Sequence, residues 1–182
     1  NRELRISKEI LKEHNKGLIA LSSSMKGEIG KAILMNFPSE KLDSIVDEYI
    51  EIFSKENFYL EIQANELPET KVINDKFYDL AKLKNIELVA TNNVHYVDRD
   101  GYELQDIVIC IQSGWKLKDK NRKRAVSKEL YLKSKEEMQR SLDERFHKAI
   151  ENTNYIASLC NLEIEFGNLQ FPYYEVHNQY SG

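Results

Sequence analysis

Three short apolar runs separated by two amphipathic stretches constrain this chain more than any other feature. Leu18-Ile19-Ala20-Leu21-Ser22, Phe58-Tyr59-Leu60-Glu61-Ile62 and Ile86-Glu87-Leu88-Val89-Ala90-Thr91 read as strands. Between the first two, Leu42, Ile45, Val46, Tyr49, Ile50 and Phe53 recur at three- and four-residue steps, which predicts a helix over Glu40–Lys55. Between the second and third, Val72, Ile73, Phe77, Leu80 and Ala81 predict an inward face on a helix from Pro68 to Lys84. Helical connections of this length cross over a sheet, so the strands are expected to be parallel. The expected class is α/β.

The flanking segments extend this pattern. Ser7 opens a short helix to His14, and Gly27–Met35 reads as another. After Asp98 the character becomes helical. Gly101–Ser113 is expected to turn Leu104, Ile107, Val108 and Ile111 inward. Glu129–Lys133 reads as a short strand. Ser134 with Glu137 three residues on is a capping box. Glu144–Cys160 reads as a long helix, Leu162–Phe166 as a last strand and Val176–Gly182 as unstructured.

Composition excludes several classes. The 182 residues suit one domain, or one domain with an appended piece, and are too few for a complete polymerase or helicase. The net charge of -4 is opposite to that of a basic nucleic-acid-binding module. No run approaches the ~20 apolar residues of a membrane span. Asn1-Arg2-Glu3-Leu4 is neither a signal peptide nor a Met start, so the chain reads as cut from something longer. Two cysteines, Cys110 and Cys160, make no disulfide scaffold, and Cys110 in its apolar run reads as a buried free thiol in a reducing cytoplasm.

Three constellations could carry chemistry. Asn92-Asn93-Val94-His95 follows a strand, so residues 93 and 95 share a side at a C-terminal strand end. Position 93 is an amide, a weak ligand for hard cations, and alone His95 reads first as an ordinary loop histidine with a local hydrogen bond. Ser22-Ser23-Ser24-Met25-Lys26-Gly27-Glu28 could hold an anion through backbone N–H groups, or could simply cap the next helix. Trp115–Lys128 carries seven basic residues against Asp119 alone. That +6 leaves −10 on the remainder. Such a loop could meet phosphate or an acidic partner, or simply be solvated. Glu61 and Gln63 form a polar pair on one strand face. No P-loop, nucleophile elbow, paired C-x-x-C, H-E-x-x-H or dinucleotide glycine motif occurs.

Taken in order, residues 17–29 (GLIALSSSMKGEI), 58–63 (FYLEIQ), 88–96 (LVATNNVHY), 110–114 (CIQSG), 131–138 (YLKSKEEM) and 149–161 resemble one family. That family is the alpha subunit of bacterial DNA polymerase III. The likeness runs from about residue 5 to about 176 at family spacing, and Phe166-Gly167 and Phe171-Pro172 continue it.

The resemblance implies the later part of a polymerase-and-histidinol-phosphatase (PHP) domain over 1–165, with 166–182 leading into the polymerase body. It implies a partial, distorted β/α barrel of the TIM-like kind, with a helical C-terminal portion. The family's cysteine ligand falls at Ser24, its aspartate at Asn93 and its histidine at His95. Two of the three are thus replaced by uncharged groups, and little or no metal is expected. The family's opening H-x-H pair and its palm carboxylates are absent, so no catalytic residue is expected here. Magnesium would belong to the palm of the longer subunit. Zinc or manganese would bind only if the PHP site were intact. The implied partners are the rest of the alpha subunit, a proofreading exonuclease subunit, the sliding clamp and, through the longer subunit, DNA. No membrane is implied, and no DNA-binding residue can be assigned. An active metal-dependent phosphoesterase or 3'-5' exonuclease is the competing reading. A part-barrel also exposes a strand edge and an apolar face, so self-association, or loops covering the edge, is expected.

Overall fold

The pattern of an apolar central strand flanked by amphipathic helices places Phe58–Gln63 in the middle of a sheet, and the structure, a computed structural model, shows this. It describes residues 5–124, 127–169 and 171–172. Strands β1 (Ala20–Leu21), β2 (Phe58–Gln63) and β3 (Glu87–Thr91) form one parallel sheet in the order β1-β2-β3. Ala20 pairs with Phe58, and Leu60 with Leu88. β2 is covered on both faces, as a central parallel strand must be.

Helix α1 (Lys8–Glu13) precedes β1, α2 (Glu28–Leu34) and α3 (Ser39–Phe53) join β1 to β2, and α4 (Pro68–Lys84) joins β2 to β3. Phe58, Leu60, Ile62, Leu88 and Ala90 alternate along the strands. They form a single buried cluster with Ile29, Leu42 and Val46 from α2 and α3, and with Ile73, Phe77 and Leu80 from α4. α4 starts on a proline, whose missing N–H costs nothing at that position, and ends at Asn85 in the left-handed conformation.

The later half is helical: α5 (Gly101–Ser113), α6 (Lys135–Ser141), a 3₁₀ turn (Glu144–Phe146) and α7 (His147–Leu159). The Ser134–Glu137 capping box is present with both of its hydrogen bonds. α7 lies along β3. Its Asn152 Nδ2 donates to Leu88 O at 2.7 Å, and its Thr153 Oγ1 donates to Ala90 O at 2.8 Å. Side chains thus occupy the carbonyls that a further strand would use, and the β3 edge is blunted.

The sheet is open: among the described residues there are three strands and no closed barrel. Several expectations need correction. β1 is two residues long, and Leu18 and Leu21 are exposed because β1 is an edge strand. Val72 faces solvent, one helical step off the α4 stripe of Ile73, Phe77 and Leu80. Glu129–Lys133 is not a strand but makes a single parallel bridge, Tyr96 to Tyr131. Leu162–Phe166 is irregular and exposed, since α7 already occupies the edge it would join. The long helix begins with the 3₁₀ turn. On α5, only Cys110 is buried, whereas Leu104, Ile107, Val108 and Ile111 face outward. The expectation for Val176–Gly182 lies outside the described residues.

One packing contact carries a pH dependence. Tyr49 on α3 stacks on Phe58 and donates its hydroxyl to Glu28 at 2.8 Å. Lys8 pairs with Glu28 at 2.8 Å and with Glu48 at 2.6 Å, clamping α1 onto this contact. Burial, and then the Glu28 carboxylate, push the Tyr49 hydroxyl up from 10.0 to about 12. The unfolded chain therefore ionises first, and the stabilisation from neutral Tyr49 is complete below pH 10.0 and lost as pH rises to about 12. Urea titrations across that window should show a smaller alkaline loss of stability in Tyr49→Phe than in the unsubstituted chain.

Candidate functional site at the C-terminal strand ends

Parallel strands bring their C-terminal ends to one edge of the sheet, and the candidate residues gather there. After β1 the chain turns sharply at Ser23, which has a positive φ of 58°. Ser22 Oγ accepts from Glu61 N at 2.9 Å and donates to Ser23 O at 3.0 Å, tying this turn to β2. α2 then starts hard against it. A Cβ on Gly27 would lie 2.1 Å from Ser22 O, and one on Gly30 would lie 2.0 Å from Ser24 O, so both positions need glycine. The serine run is thus turn chemistry closed by two glycines. Ser24 is fully buried and its Oγ has no hydrogen-bond partner.

At the end of β2 a chain of polar side chains continues along one strand face. Thr91 Oγ1 donates to Glu61 Oε1 at 2.7 Å, and Gln63 Nε2 donates to the same oxygen at 3.2 Å. Asn65 Nδ2 donates to Gln63 Oε1 at 3.1 Å. From α4, Asn74 accepts from Gln63 N at 3.2 Å and donates to Gln63 O at 2.9 Å. This network holds β2, β3 and α4 in register where the ladder runs out.

The β3 end is latched differently. Asn92 is buried, and its Nδ2 donates to Glu129 O at 2.6 Å and Tyr131 O at 2.7 Å. His95 N donates to Leu130 O at 2.8 Å, and Leu132 N to Tyr96 O at 3.1 Å. The 127–133 segment therefore pins the 92–96 loop. Glu129 in turn is held by Arg99 at 2.6 Å and by fully buried Lys133 at 2.5 Å. Asn93 takes a positive φ of 49°, which suits an asparagine. His95 is exposed, and its Nδ1 lies 2.7 Å from Asn93 O, which makes Nδ1 the protonated nitrogen.

The geometry thus brings Ser24, Asn93 and His95 to the same sheet edge, but on opposite flanks. β1 and β3 are two strand spacings apart, about 10 Å. Ser24 is buried, whereas Asn93 and His95 are exposed. The donor set is one hydroxyl, one amide and one imidazole, with no charge to offset a divalent cation's dehydration. Among the described residues no three His, Cys, Asp or Glu side chains come together to hold a metal. A hydroxyl, an amide and an imidazole are weak ligands for a divalent transition metal.

Sequence reasoning placed Asn92 in the motif but missed its latching role, and missed Thr91, Asn65 and Asn74 altogether. The polar alternation Glu61, Gln63, Asn65 was the available signal. The basic segment is partly internal: Arg122 is buried and forks onto Asp106 at 2.6 and 2.5 Å. The other described cations of that segment are exposed, Lys128 lying over the Tyr102 ring. Cys110 is a buried free thiol, as expected, and Cys160 an exposed one.

Comparison with known proteins decides the family. The PHP domain matches residues 1–65, a stretch that includes Ser24 and β2 but neither Asn93 nor His95. The chain is 36% identical over 183 residues to a protein named DNA polymerase III subunit alpha from Pseudomonas aeruginosa, covering 98% of this chain. It is 32% identical over 186 residues to the protein of that name from Campylobacter jejuni, covering 97%, and 35% identical over 166 residues to that from Thermus aquaticus, covering 90%. This chain belongs to the DNA polymerase III alpha-subunit family. It spans 15%, 15% and 13% of those three relatives. The match to these alpha subunits runs through both the sheet and the helical half, so the PHP resemblance of the first 65 residues and the later segments belong to one family sequence. Among the described residues, no helix is long and apolar enough to cross a membrane.

Proposed function

We propose that this chain serves as a scaffold within the PHP region of a replicative, DNA-directed DNA polymerase alpha subunit, and performs no nucleotidyl transfer itself. The observation that carries this reading is the nearly full-length likeness to proteins named DNA polymerase III subunit alpha. The parallel strands and the polar edge at their C-terminal ends support a PHP-type partial barrel over 1–165, with 166–182 leading on. The uncharged donor set at Ser24 and Asn93 supports a site that has lost its metal, with His95 as its remnant. Magnesium and the transfer chemistry then reside in the palm of the longer subunit. That subunit meets DNA, the proofreading exonuclease and the sliding clamp, in the cytoplasm.

The test is primer extension by an alpha subunit containing this segment. With Ser24→Ala and His95→Ala together, the rate should stay within about tenfold of the unsubstituted subunit, a change below about 1.4 kcal/mol. A larger loss, or primer extension by the 182-residue chain alone, would overturn the scaffold reading.

A further inference from the structure

α5 is the one long helix among those described whose apolar stripe faces away from the molecule. Leu104, Ile107, Val108 and Ile111 fall on one face at steps of three, one and three. The stripe is symmetric about the point between Ile107 and Val108. Exposure follows the same symmetry: 68% and 75% at the outer pair, and 40% at each inner residue. Such a stripe matches itself when a second helix is turned end for end. In that arrangement Leu104 meets Ile111 of the other copy, and Ile107 meets Val108. Exposed Val97 lies beyond one end of the stripe, with Trp115 and Leu117 beyond the other.

Charge has the same polarity. Asp98, Asp100 and Glu103 lie at the N-terminal end of α5, where Arg99 is engaged by Glu129 and Lys128 lies over the Tyr102 ring. Lys116, Lys118, Lys120, Lys123 and Arg124 follow its C-terminal end, against Asp119. The Arg122–Asp106 fork ties that basic loop to the helix it follows. Reversing one helix against another sets the acidic end of each copy beside the basic end of its mate. A parallel pairing would set like against like.

We propose that the outer face of α5 takes the same face of a second copy of this chain, in an antiparallel two-fold pairing. One 13-residue helix per copy buries less than a stable dimer needs, so the association is weak and concentration-dependent.

Light scattering of the 182-residue chain, from low to high micromolar concentration, tests this. The mass should rise from 21.3 kDa toward twice that value and stop there. Ile111→Asp, at a position 75% exposed, should hold it at 21.3 kDa, and so should Ile107→Asp, with unchanged circular dichroism showing that each variant still folds. Lys116→Glu with Lys118→Glu should weaken dimerisation about tenfold, and adding Asp100→Lys with Glu103→Lys should restore it. A chain that stays monomeric throughout would overturn the proposal and assign the face to another occupant, such as the rest of the alpha subunit. Association that runs past the dimer, or that ignores the charge reversal, would equally overturn it.

Discussion

Replacing Phe77 with alanine is expected to destabilise the fold by about 3–5 kcal/mol. Phe77 is fully buried on the inner face of α4, in the cluster that includes Leu60, Ile62, Ile73 and Leu80. Removing the ring forfeits its transfer energy and leaves a cavity that two packed layers cannot close. Domains of this kind are stable by only about 5–15 kcal/mol, so a substantial fraction of the variant should unfold on mild heating. Val72→Ala on the same helix is the control. Val72 is exposed, and its truncation should shift stability by no more than about 0.5 kcal/mol. Urea unfolding monitored by circular dichroism measures both. Equal effects at the two positions would contradict the placement of α4.

The second large effect is expected at Glu129. Its carboxylate is the partner of Lys133, whose side chain is fully buried. Glu129→Ala leaves that ammonium without its carboxylate, over the Tyr131 ring at 4.1 Å. Breaking a buried pair in this way costs about 3–5 kcal/mol. Glu129→Leu combined with Lys133→Met removes both charges and should recover most of the loss. The consequence reaches the candidate site, because the segment carrying both residues pins Asn92 and His95. Amide exchange at His95 and Leu132 should therefore accelerate in Glu129→Ala, and not in the double variant. Unchanged exchange in both would refute the latch.

The sheet and its crossover helices were legible because their signals are local. Strand runs are short and apolar, and the α3 and α4 stripes repeat at helical steps. Pro68 and the Ser134–Glu137 box mark helix starts within a residue of where they occur. The misreadings share one cause. An apolar residue in a sequence states that it can be buried, not that something covers it. Leu104, Ile107, Val108 and Ile111 have helical periodicity but no layer over them. Leu162–Phe166 has strand composition but does not pair with β3, where Asn152 and Thr153 occupy the outer carbonyls. That Ser24, Asn93 and His95 lie at the C-terminal strand ends was legible from their place after the strands. Its latch was not, since Asn92 finds its partners 37 and 39 residues away.

The metal content of this chain, and of an alpha subunit containing it, tests the scaffold reading most directly. Each would be incubated with zinc or manganese, desalted and assayed by mass spectrometry of the metal. A scaffold predicts metal far below one ion per chain, unchanged by His95→Ala, and raised when Ser24→Cys and Asn93→Asp together restore charged donors. Near-stoichiometric zinc or manganese in the unsubstituted protein, lost on His95→Ala, would contradict it and favour an active phosphoesterase or exonuclease.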